Sequence, residues 1–173
     1  MIGDYERAKE LIIDPRLKTI FIDKYGEESH IYADGKCYPM EEFTGAGLWI
    51  AWMNEEEHKE WPIGAWAQFE NGAANGEGVV LDCFYYREDY YASHAYTWYV
   101  GQFADGLANG QGEYLDEYFG ESGIESSTKL KGEFQEGQIY SGTVEGVGDG
   151  ANAPDISYVI QDGKLVKKVE RCV

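Results

Sequence analysis

The histidines His30, His58 and His94, the cysteines Cys37, Cys83 and Cys172, and 32 acidic side chains are the groups in this chain of 173 residues that could do chemistry. No histidine stands in an HExxH phrase or in an i, i+4 pair, the spacing that turns two imidazoles toward one zinc ion. The cysteines are far apart, odd in number and form no CxxC pair, so neither a disulfide framework nor a zinc site is expected. "DGANAPD", Asp149 to Asp155, begins like a calcium loop but lacks the closing glutamate and the ligand rhythm. No GxSxG, P-loop or dinucleotide phrase occurs. Acids together with tryptophan and tyrosine could form a sugar-binding cleft or the paired carboxylates of a glycosidase. With so many acids some approach each other by chance, and nothing in the sequence selects a pair. The chain reads as non-catalytic, with no metal and no cofactor.

What remains is recognition chemistry. "CFYYREDYYASHAYTWY" crowds Tyr85, Tyr86, Tyr90, Tyr91, Tyr96 and Trp98 into a short stretch. Rigid aromatic rings with a polar tip bury large area on binding, so the five tyrosines are candidate partner-binding residues. Strand alternation would turn half of them inward as core. His94 belongs to this stretch as a packing or contact residue. His58, among glutamates, reads as surface.

The net charge is −18, from 14 basic against 32 acidic side chains. Such a surface repels phosphate backbones and anionic headgroups, which argues against nucleic acid and against direct membrane binding. It would attract and steer a basic protein. The same charge also serves solubility. The start "MIGDYERAKELIID" has neither the basic end nor the apolar run of a signal peptide. No apolar run approaches the roughly 18 residues of a membrane helix. A reducing, cytoplasmic setting is the expectation; oligomeric state is left open.

The elements that must position these residues are mostly strands. Asp4 to Ile13 has helical spacing, with Tyr5, Ala8, Leu11 and Ile12 on one face. "LKTIFID" and "SHIYADG" read as strands, and Asp34-Gly35 as a turn into a third. "FTGAGLWIAWM" reads as a bent strand, and "NEEEHKEW" as a short helix with Asn54 as cap and Trp61 tucked inward. From Gly64 onward the pattern is hairpins. Turns are expected at Asn71-Gly72, Asn75-Gly76, Asp105-Gly106, Asn109-Gly110, Glu136-Gly137 and Asp162-Gly163. "GVGDGANAPD" reads as a loop.

One phrase is written twice, "AWAQFENGAANGEGVVLD" and, thirty-four positions on, "YVGQFADGLANGQGEYLD". Tyr99, Gly101, Phe103, Gly106, Gly110 and Gly112 resemble the MORN (membrane occupation and recognition nexus) repeat at every position of its aromatic and glycine pattern. The upstream copy keeps Phe69, Gly72, Gly76 and Gly78 but has Ala65 and Ala67 for the first aromatic and glycine. A third copy, "LKGEFQEGQIYSGTV", keeps Gly132, Phe134 and Gly137, with Gly142 one place late. The copies resemble degenerate, bacterial-type members of the family. Their 34-residue interval is longer than the family's usual one, and the excess reads as a lengthened, protruding hairpin between repeats.

The resemblance implies a twisted antiparallel sheet of MORN-like β-hairpins, with one or two short helices near the N-terminal side. Residues 1–63 are expected to pack a helix and strands on the sheet. Residues 64–173 hold the repeats, at about 64–82, 98–116 and 130–144, and a C-terminal hairpin, all in one continuous domain. It also implies a protein–protein interaction or scaffold role, and the net charge of −18 points to a basic protein as the partner. An immunity or antitoxin-type inhibitor of a basic toxin or nuclease is the sharper form. A carbohydrate-binding module or glycoside-processing enzyme, and a structural spacer, are the alternatives.

Overall fold

Alternating aromatic and small residues, punctuated by Asp-Gly and Asn-Gly pairs, favour strands joined by tight turns. The computed structural model, which describes residues 30–53, 61–88, 91–120, 123–147 and 155–171, is accordingly one open, twisted antiparallel sheet. Its strands are β1 (His30–Ala33), β2 (Lys36–Pro39), β3 (Gly45–Met53), β4 (Trp61–Glu70), β5 (Ala73–Glu88) and β6 (Tyr91–Ala104). Then follow β7 (Leu107–Gly120), β8 (Gly123–Gln135), β9 (Gln138–Val147), β10 (Asp155–Gln161) and β11 (Lys164–Arg171). From β3 to β11 each strand lies beside its sequence neighbour; beyond β3 come β1 and then β2 at the edge.

Among the described residues the helical content is one 3-10 turn, Met40–Glu42. The helix expected over 4–13 and the strand at "LKTIFID" lie outside the described residues, as does most of the loop expected over 146–155, whose first two residues end β9 and whose last opens β10. So does most of the helix expected at "NEEEHKEW". Its last residue, Trp61, opens β4 opposite Met53.

Five two-residue turns join hairpins at one end of the sheet: Asp34-Gly35, Asn71-Gly72, Asp105-Gly106, Glu136-Gly137 and Asp162-Gly163. The first residue of each has φ of 50–53° and the glycine 69–82°, the left-handed pair that matches strand twist. Asn75-Gly76 and Asn109-Gly110 are not turns. They lie inside β5 and β7. There the register slips between Ala67 and Phe69, and between Gly101 and Phe103, and Gly76 and Gly110 take φ of 105° and 100°. The same Asn-Gly signal here produces a bulge, because the strand has already turned four residues earlier.

The core lies on one face. Phe69, Phe103 and Phe134 are buried there with Ile31, Phe43, Ala65, Ala67, Ala74 and Tyr99. Leu48, Val79 and Leu81, on the opposite side of their strands by alternation, are buried as well, so β3–β5 is covered on both faces.

Candidate functional site

The repeat glycines form a row across the sheet. Gly47, Ala67, Gly78, Gly101, Gly112, Gly132 and Gly142 are successive cross-strand partners. The row explains Gly142: it stands opposite Gly132 as Gly112 stands opposite Gly101, and the third copy's bulge is one residue shorter. Aromatic rings lie over this strip of bare backbone. A Cβ on Gly112 would stand 2.5 Å from Cζ and 2.6 Å from Cε2 of Tyr99. One on Gly78 would meet Cβ of Ala67 at 2.6 Å and Phe103 at 3.2 Å. Ala65 and Ala67 thus replace Tyr99 and Gly101 as a set: a methyl group fills part of the room the ring takes in the next copy.

Tyr99 centres this packing. Phe103 and Phe134 each meet its ring edge to face, with centroids 5.0 Å away. Its hydroxyl donates to the carbonyl of Gln102 at 3.0 Å. Burial pushes the phenol up to about 12, with the Gln102 bond opposing. Phe43 and Phe69 make a similar edge contact at 6.1 Å.

The turns dock on one another. Gly72, Gly106, Gly137 and Gly163 donate their N–H to the carbonyls of Phe43, Ala74, Ala108 and Tyr140, at 2.8–3.1 Å. Asn71 and Asp162 donate theirs to the hydroxyls of Thr44 and Ser141. Gly72 must be glycine twice over: its φ is +82°, and a Cβ would stand 2.5 Å from the Met40 carbonyl oxygen. The side chains at these turns face solvent, so Asp105, Glu136 and Asp162 form a ladder of carboxylates. Successive turns are two strands apart, which is about 10 Å. Asp34 adds a fourth acid further along.

Two hollows accompany these features. One, about 490 Å³, is lined by Trp98, Val100, Gln111, Glu113 and Lys131 and the backbone of Gly112 and Gly132. Lys131 hydrogen-bonds Glu113, and Lys129 lies 3.4 Å from its other oxygen. The Lys131 bond is the main cause holding the Glu113 carboxyl below its ordinary value; partial burial opposes it and the charge of Lys129 assists. The other, about 470 Å³, lies at the turn end among Asn109, Glu133, Gln135, Glu136, Gln138, Ile139, Tyr140 and Gly163. The phenol of Tyr140 is raised, chiefly by the charge of Asp162. Sequence reasoning missed the first hollow, because only the register brings Glu113 opposite Lys131.

The tyrosine-rich stretch lies in a lengthened hairpin between the first two copies. It is the outer half of the β5–β6 hairpin, paired without a break from Gly76↔Phe103 to Glu88↔Tyr91. β7 lengthens with it, as Glu117, Tyr118 and Phe119 pair with Tyr96, Ala95 and His94. Tyr85 and Tyr86 lie on β5, and Tyr91 and Tyr96 on β6. Tyr90 and the side chains of the other four lie outside the described residues.

Among the described residues no three His, Cys, Asp or Glu side chains gather in a metal-holding group. No helix there is long and apolar enough to cross a membrane. The family model for the MORN repeat matches residues 99–116, the segment from Tyr99 through the Asp105-Gly106 turn to Asp116. Comparison with curated proteins and with solved structures gives no match.

Proposed function

From a chain whose residues 99–116 are a MORN repeat, we propose a non-catalytic scaffold that binds another protein, one with a basic surface. The observation that carries this reading is the turn ladder. Asp105, Glu136 and Asp162 are exposed, evenly spaced and held by docked turns. An extended chain rises about 3.3 Å per residue, so lysine or arginine at every third position would match a 10 Å spacing. The net charge of −18 adds long-range steering. The cytoplasm is the compartment that fits three cysteines odd in number and far apart in the chain. Inhibition of a basic toxin or nuclease, as by an immunity protein, is the sharper form of the same reading.

A second reading has its own observation. The hollow beside Trp98 offers an indole among Gln111, Glu113 and Lys131, an aromatic wall with polar groups that suits a sugar ring.

An oligo-arginine peptide is the probe for the leading reading. Its association should slow steeply with added salt, because steering is screened beyond about 8 Å at physiological ionic strength. Asp105→Asn, Glu136→Asn and Asp162→Asn together should slow association at low salt and reduce that salt dependence, since asparagine keeps the left-handed turn conformation and removes the charge. An unchanged rate in the triple variant overturns the assignment to the turns.

A further inference from the structure

We propose that β11 is an acceptor edge at which an acidic extended segment of a partner adds to the sheet as a further strand. It concerns a strand edge and the opposite charge, whereas the turn ladder concerns carboxylates at the strand ends, the last of which, Asp162, leads into β11.

Among the described residues β11 is the last strand of the sheet order, with β10 on one side only. An edge strand presents a row of N–H and C=O groups able to pair with another chain. At the other edge, β2 has four residues and ends in Pro39, which has no N–H to give. β11 is twice as long and contains no proline. Gln161 to Lys168 are all exposed, and Leu165 and Val166 are 59% and 55% exposed. An isolated hairpin end would not need two large apolar side chains in solvent.

The charge selects the occupant. Lys164, Lys167, Lys168 and Arg171 lie on β11 against the single acid Glu170, in a chain whose net charge is −18. Lysines on an edge guard against self-pairing, because β11 of a second copy would bring like charges directly opposite. The same lysines favour a strand that carries glutamate or aspartate at alternate positions. Leu165 and Val166 supply apolar contact for the residues between. The partner chemistry is therefore an extended segment alternating acidic and β-branched residues, joined by main-chain hydrogen bonds.

The test uses the full chain, labelled with 15N, and two synthetic peptides, Ac-EVEVEVE-NH2 and Ac-KVKVKVK-NH2. Near saturation the acidic peptide should slow amide exchange within 164–168 roughly tenfold or more, while the basic peptide leaves these amides unchanged. Lys164→Glu with Lys167→Glu should reverse the preference. Should circular dichroism show that this variant does not fold, Lys167→Gln alone must weaken the acidic peptide. Equal response to both peptides, no response, or a response confined to other strands overturns the proposal. So does self-association of the unmodified chain through β11 without peptide.

Discussion

Tyr99 and Gly112 define each other. The ring occupies the place a Cβ at Gly112 would take, so Gly112→Ala forces either ring or strand to move. Overpacking of this kind costs roughly 1–3 kcal/mol. Tyr99→Ala should cost more, roughly 3–5 kcal/mol, as removal of a large buried aromatic does. The double variant removes the ring that the new Cβ at position 112 would meet. Its cost should fall clearly short of the sum, which chemical denaturation of all four proteins would measure. Strict additivity would mean that ring and glycine do not compete for the same space. The phenol gives a second handle. Its folded pKa, about 12, lies above the ordinary 10.0. The folded state therefore holds its proton where the unfolded chain has released it. The stabilisation is complete below pH 10 and is lost as pH rises through 12. Tyr99→Phe should flatten the alkaline limb of a stability profile, and a limb of unchanged slope would assign it to other groups.

At the scale of the element, Asp105-Gly106 and Asn109-Gly110 show how far local signals reach. Both are good turn dipeptides; the first turns and the second bulges. The choice is made by register: Gly112 must meet Gly101 so that the row of bare backbone stays continuous. The strand type, the equivalent phenylalanines and the five true turns were therefore legible from spacing, while the bulges were not. Pairs such as Glu113 with Lys131 were hidden for the same reason, since eighteen positions separate them. The tyrosine-rich stretch was legible as an addition but not as a lengthening shared with β7. Because Glu117 to Phe119 pair with it, its removal costs more than a loop deletion. Replacing residues 85–96 with a short Gly-containing turn should slow partner association and also speed amide exchange in Glu117 to Phe119. Full-strength binding by the shortened protein would remove these tyrosines from the site, and unaltered exchange would contradict the shared lengthening.

The molecule as a whole divides by charge and by cover. β3–β5 is buried on both faces at Leu48, Val79 and Leu81, whereas the described side chains of β10 and β11 include no buried residue. The cationic side chains of the strands gather toward β8 and β11, and the turn end is acidic. The buried packing and the charged turn end and edge strand are thus different regions, so charge changes at the turns or at β11 leave the Tyr99 packing untouched. The linear strand order carries one more consequence. The main contacts join strands that are neighbours or near neighbours along the chain. Little loop entropy has to be overcome before a hairpin finds its template, so growth can proceed outward like a closing zip from whichever hairpin forms first. The hairpin of Tyr99 and Phe103 holds two buried rings and is the natural starting point. A chain that grows this way can gain or lose a hairpin at its β11 end without refolding the rest, which makes repeat number an easy quantity for evolution to change.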